Sequence, residues 1–142
     1  MAIQIVEEDR PFRKIKRSAI KEMARGVIEG EGKKEGEVSI VFGSDQFLLD
    51  INQRFLNRDY LTDVISFDYE EEGLVSGDIL ISVDRVKENA TSYGVSFPDE
   101  MQRIIIHGLL HLIGYEDDTK ENKAIMTSRE NLYLEKYGSA CE

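Results

Sequence analysis

Residues 107–118 read HGLLHLIGYEDD and hold both histidines of a 142-residue chain, four positions apart, with a glycine three residues after the second. On an α-helix, positions i and i+4 share a face, so His107 and His111 can bring two imidazoles within reach of one ion. Gly114 falls where a helix can end on a left-handed residue, a conformation glycine adopts without steric cost. A chain reversal there returns the following residues over the helix face. It offers a carboxylate as third ligand, Asp117 in the pattern H-x-x-x-H-x-x-G-x-x-D, with Glu116 and Asp118 as flanking alternatives. The competing reading puts both histidines on an ordinary helix beside the core residues Ile105, Leu109, Leu112 and Ile113. The paired spacing, the placed glycine and the acid favour a metal.

Three protein ligands leave one coordination position for water, as catalytic zinc sites do and closed structural sites do not. Two imidazoles and a carboxylate suit Zn²⁺, although the same donors hold iron, nickel or manganese, and spacing does not choose among them. The spacing equals that of the metzincin motif H-E-x-x-H-x-x-G-x-x-H, but Gly108 stands at the general-base position and Asp117 at the third histidine. Losing that glutamate disfavours protease chemistry and leaves metal binding intact.

The remaining pattern predicts the order β-α-β-α-β-β-α-α-α. Residues 3–6 read as a short strand, and residues 12–29 as a helix with Ile15, Ala19, Ile20, Met23 and Val27 at amphipathic spacing. GEGKKEG, residues 30–36, reads as a loop. Val38, Ile40 and Phe42 alternate as in a half-buried strand that Gly43 stops, and Ser44 caps a helix carrying Phe47, Leu48, Ile51 and Phe55. Residues 62–69 and 77–82 are β-branched runs, either hairpin partners or neighbours in one sheet. Ser82 caps a helix ending at Gly94, Pro98 suits the first turn of the helix through the histidines, and Asp118 with Glu121 resembles a capping box for the last. The expected fold class is α+β, a small mixed sheet of about four strands packed with about five helices, in one domain over residues 1–142.

Composition narrows the function classes. No run approaches the roughly 18 apolar residues of a membrane span, and MAIQIVEED has neither a basic leader nor an apolar stretch, so a cytoplasmic protein without a membrane partner is expected. The single cysteine, Cys141, makes no disulfide available, and the absence of a glycine-rich phosphate loop leaves nucleotide-cofactor chemistry unsupported. A net charge of −10 argues against general nucleic-acid binding. Residues 1–34, however, carry nine Lys/Arg against six Asp/Glu, while residues 35–142 carry nine against twenty-two. The basic residues from Arg10 to Arg25 form either a solvated helix face or a phosphate-facing surface.

HGLLHLIGYEDD resembles the signature H-G-x-L-H-L-x-G-Y-D-H of the YbeY family of bacterial metal-dependent endoribonucleases. INQRFLNRDYLTDVISF, residues 51–67, is similar to that family's L-N-x-x-Y-R-x-x-D-x-P-T-D/N-V-L-S-F segment, and GDILIS, residues 77–82, matches its G-D-I-x-I-S strand. The resemblance implies a compact α/β domain with one zinc, cleavage of single-stranded RNA, and maturation of the 3′ end of 16S ribosomal RNA with ribosome quality control. The small ribosomal subunit or its proteins would be partners. By position the ligands would be His107, His111 and, replacing the family's third histidine, Asp117. The family's arginine in Y-R-x-x-D falls on Leu56, and Arg58 is the expected substitute, with Asp59 anchoring the loop; the other reading is a bare loop arginine. Arg103, one turn before His107, either clamps a phosphate beside the metal or pairs with an acid. A ribosome-assembly factor with a structural metal is the alternative function, and the sequence leaves the oligomeric state open.

Overall fold

A computed structural model describes residues 3–69 and 71–141, the side chains of residues 139–141 excepted; Cys141, the one thiol, therefore has its side chain outside the described residues. Four strands and five helices follow in the expected order. They are β1 (Ile3–Glu7), α1 (Arg17–Gly30), β2 (Lys34–Gly43), α2 (Asp45–Phe55), β3 (Val64–Asp68), β4 (Leu74–Ser82), α3 (Val83–Tyr93), α4 (Phe97–Ile113) and α5 (Lys120–Cys141).

The strands form one sheet in the order β1-β2-β4-β3. β1, β2 and β4 run parallel, and β3 closes one edge antiparallel to β4, so the two β-branched runs are hairpin partners. Parallel neighbours need crossover connections, which α1 supplies between β1 and β2. Alternation along the strands divides the apolar residues between two faces. Ile79 and Ile81 of β4 join Val38, Ile40 and Phe42 of β2 in the main core, which α1 and α4 cover with Met23, Val27, Ile105 and Leu109. Leu80 and Ile65 turn the other way, onto Leu48 of α2. α4 is the central helix, touching β3, β4, α1, α3 and α5.

Three serines begin helices by accepting an N–H three residues on: Ser44 from Phe47, Ser82 from Arg85 and Ser96 from Asp99. Pro98 lies in the first turn of α4, and Gly94 ends α3 in the left-handed region at φ 69°.

Several boundaries differ from expectation: β3 is confined to Val64–Asp68 and β4 begins already at Leu74. α1 begins at Arg17, because Phe12 and Ile15 are buried from an irregular segment that Glu7 gathers, accepting the Phe12 N–H and pairing with Arg13 and Arg17. The apolar spacing was real, but tertiary burial produced it. The loop after α1 is shorter than residues 30–36, since Lys34 and Glu35 already pair with Leu74 and Val75 across a register shift. At α5, Thr119 accepts the Asn122 N–H in place of Asp118, whose carboxylate takes the Asn122 side-chain amide.

The four arginines of the basic segment are paired within the chain. Arg10 pairs with Asp84, Arg13 and Arg17 with Glu7, and Arg25 with Glu35. Among the described residues, no helix is long and apolar enough to cross a membrane.

Candidate metal centre and cleft

α4 carries His107 and His111 on one face, and its apolar face is buried on β4. Gly108 makes that approach possible. A Cβ there would come within 2.6 Å of Ile79 Cγ2 and 3.4 Å of Ser66 Oγ, while the Gly108 carbonyl accepts from Ser66 Oγ at 3.2 Å. The position that holds a general base in metzincins is here pressed against the sheet, with no room for a carboxylate. Gly108→Ala is expected to cost about 1–3 kcal/mol of stability by overpacking, read as a lower urea midpoint at unchanged slope. A midpoint equal to wild type would mean the helix can lift without penalty.

α4 ends at Gly114, with φ 120°, whose N–H bonds back to Leu110 and His111 while the Tyr115 N–H also reaches the Leu110 carbonyl. The chain turns, and Asp117 comes over the histidines. His107 Nε2 and His111 Nε2 lie 3.0 Å apart, and Asp117 Oδ2 lies 3.3 Å from the first and 3.5 Å from the second. His107, His111 and Asp117 are the one cluster among the described residues whose ligand atoms gather closely enough to hold a metal ion.

The opposite ring nitrogens settle the proton positions. His107 Nδ1 faces Glu130 Oε2 at 2.6 Å, and His111 Nδ1 faces the Tyr115 carbonyl at 3.0 Å. Both partners are acceptors, so both Nδ1 atoms carry hydrogen and donate, leaving each neutral ring's Nε2 with a bare lone pair. With both rings neutral, three acceptors then face one another, a repulsive arrangement that a proton or a metal cation relieves. A tetrahedral ion with ligands about 2.0–2.2 Å away separates its ligand atoms by about 3.3–3.6 Å, close to the observed triangle. The donors therefore fit one divalent ion.

Electrostatics point the same way. Burial depresses the basicity of His107, but the Glu130 hydrogen bond and the charges of Glu130, Asp117 and Asp63 more than offset it, so the imidazole's pKa is raised. The potential that attracts a proton there also attracts a metal ion. Behind the site, burial pushes the Glu100 carboxyl up, reinforced by Asp63 and opposed by Arg103.

A cleft of about 650 Å³ opens at the three residues. The end of α2 and its loop form one wall with Asn52, Leu56, Arg58 and Tyr60, β3 forms the floor with Val64, Ile65, Ser66 and Asp68, and residues 114–117 form the other wall. Arg58 is the one cationic side chain among the described residues lining it, against Asp63, Asp68, Glu116 and Asp117. Its loop is fixed by Asn52, which donates to the Tyr60 carbonyl, and by Asp59, which accepts from Gln53 Nε2 at 2.7 Å. Arg103 bonds to Glu130 Oε1 and to Asn131 Oδ1, both at 2.8 Å, and lines a second depression that shares Asp63, His107 and Asp117 with the cleft. Asp118 engages Asn122 instead of the site.

Sequence reasoning passed over Asp63 and Glu130. A signal for Glu130 was present, because it interrupts the α5 stripe Met126, Glu130, Tyr133, Tyr137 at i, i+4, i+7 and i+11, where an acid among core positions implies a buried partner.

Fold and site define a class, α+β proteins in which two histidines and a carboxylate that could hold a metal ion gather beside a surface cleft. The chain belongs to the Endoribonuclease YbeY family, whose profile matches residues 4–138. It is 49% identical over 105 residues to an Endoribonuclease YbeY of Flavobacterium psychrophilum, covering 74% of this chain and 75% of that one. With its counterpart in Parabacteroides distasonis it shares 41% identity over 134 residues, 94% of each chain. The solution structure of TM1509 from Thermotoga maritima superimposes with a TM-score of 0.67 at 28% identity, covering 98% of this chain and 93% of that one.

Proposed function

We propose that residues 1–142 form one metal-dependent endoribonuclease domain that hydrolyses phosphodiester bonds of single-stranded RNA in the cleft beside His107, His111 and Asp117. The observation that carries the reading is the convergence of His107 Nε2, His111 Nε2 and Asp117 Oδ2 within 3.5 Å of one another in the lining of a cleft of about 650 Å³. Family membership supplies the reaction class.

One Zn²⁺, or another divalent ion of similar preference, supplies Lewis acidity to the phosphate and to the attacking water when bound. His107 and His111 would hold the ion through Nε2, their rings oriented by the Nδ1 contacts to Glu130 and Tyr115, and Asp117 would cancel part of its charge. Arg58 meets the phosphate from the α2 side, and Arg103 adds positive potential on the far side of the same ligands. An acid-lined cleft repels RNA by itself, so a bound cation serves substrate binding as well as chemistry. The natural substrate in this reading is ribosomal RNA near the 3′ end of the 16S species, met on the small ribosomal subunit.

Stripping the protein with a chelator and restoring about one equivalent of Zn²⁺ tests this. Cleavage of a single-stranded oligoribonucleotide is expected to vanish and return while its duplex form stays intact throughout. Equal cleavage by the stripped and restored protein would sink the proposal. Unfolding on stripping would favour the alternative, an assembly factor with a structural metal.

A further inference from the structure

The end of α1 holds a carboxylate with no local task. Glu31 caps α1 through its backbone N–H, which bonds to the Val27 carbonyl, while its side chain turns inward and is 8% exposed. A buried carboxylate must find donors. Glu31 finds two phenols: the Tyr115 hydroxyl donates to Oε1 at 2.5 Å and the Tyr133 hydroxyl donates to Oε2, with the Arg129 guanidinium 3.8 Å away. Both phenols respond. The bond to Glu31, then burial, raises the Tyr115 hydroxyl, and burial, then the bond to Glu31, raises that of Tyr133.

Each tyrosine belongs to an element that supports one histidine. Tyr115 gives its carbonyl to His111 Nδ1 and lies two residues before Asp117. Tyr133 lies nearly one turn after Glu130, whose carboxylate holds His107 Nδ1. Glycines on α1 admit the α5 ring: a Cβ at Gly30 would come within 2.7 Å of the Tyr133 hydroxyl, and one at Gly26 would strike Tyr137. α1 and α5 therefore meet closely enough for one side chain of the α1 terminus to reach both the loop after α4 and the middle of α5.

The geometry points to Glu31 as a positioning residue of the metal centre. Through Tyr115 and Tyr133 its single carboxylate sets the separation between the ligand loop and α5, and thereby the aim of both Nε2 atoms. This rests on the metal reading of His107, His111 and Asp117. Glu31 touches none of those ligands.

The test is a Co²⁺ titration, with visible absorption and chelator competition, of the whole chain and of Glu31→Gln, Tyr115→Phe, Tyr133→Phe and the double variant Glu31→Gln/Tyr115→Phe, each with its unfolding midpoint. Glu31→Gln is expected to bind Co²⁺ about tenfold more weakly, the low end for a lost outer support, with an altered spectrum at saturation. Tyr115→Phe is expected to add less than about twofold on that background. Lower midpoints with wild-type affinity and spectrum would overturn the assignment and leave Glu31 a structural staple. Should Glu31→Gln fail to fold, Tyr115→Phe decides alone, since it removes one hydroxyl: weaker Co²⁺ binding supports the role and unchanged binding overturns it. A wild-type chain that binds no Co²⁺ sinks the metal reading itself, whereas binding that every variant matches sinks only the role of Glu31.

Discussion

His111→Ala is expected to lower RNA cleavage about 10³-fold while leaving the chain folded. In the proposed site the imidazole supplies one of three ligand atoms, and the remaining pair, His107 Nε2 and Asp117 Oδ2 at 3.3 Å, would not enclose an ion. A Lewis acid at a phosphoryl oxygen contributes several kcal/mol to the transition state, so losing about 4 kcal/mol lowers the rate about 10³-fold. The side chain is part-exposed on the face of α4 away from the sheet, and its loss empties no core space. Elemental analysis should fall from about one ion per chain to a trace, with far-UV circular dichroism unchanged. Activity within tenfold of wild type would show that the ion is not what cleaves RNA. Asp117→Asn is the informative companion: it keeps an oxygen donor and removes one negative charge, so it separates ligation from charge.

The second large effect belongs to a residue that touches no substrate. Glu130→Gln is expected to weaken metal binding tenfold to hundredfold, the usual range for a lost support behind a ligand histidine, or about 1.4–2.8 kcal/mol. Glu130 accepts from two donors at once, His107 Nδ1 through Oε2 and Arg103 through Oε1. An amide offers one acceptor oxygen, and its NH₂ faces whichever donor the oxygen does not serve. His107 then loses either its tautomer or its ring orientation. Competition with a chelating dye reads the affinity, and wild-type values in a folded variant would remove Glu130 from the site.

These two experiments sample what could and could not be read from the chain. His107, His111, Gly114 and Asp117 lie within eleven residues, and local rules of helix periodicity and glycine termination suffice to assemble them. Glu130 and Glu31 enter only after α5 has docked against α1 and α4, and no local rule announces a contact across so much chain. The helix boundaries follow the same division. Ser44, Ser82 and Ser96 cap as local chemistry dictates. Phe12 and Ile15 imitate a helical face although their burial is tertiary, and the first residues of β2, charged and partly exposed, carry no periodicity at all. Arg103 also shows this. Its place on the histidine stripe was legible, but its partners, Glu130 and Asn131, were not.

The span of the site has a consequence for the order in which the protein is made. Synthesis runs from the N-terminus, and elements dock as they emerge. Glu31 is translated before His107, His111 and Asp117, and Glu130 and Tyr133 after them. A nascent chain that has exposed its histidines still lacks the support behind His107 and the anchor of α5. In the proposed reading, a nuclease built beside ribosomal RNA thus acquires its full grip on metal only as α5 folds back, and a chain that stalls before α5 is made leaves the ribosome with a weakened blade.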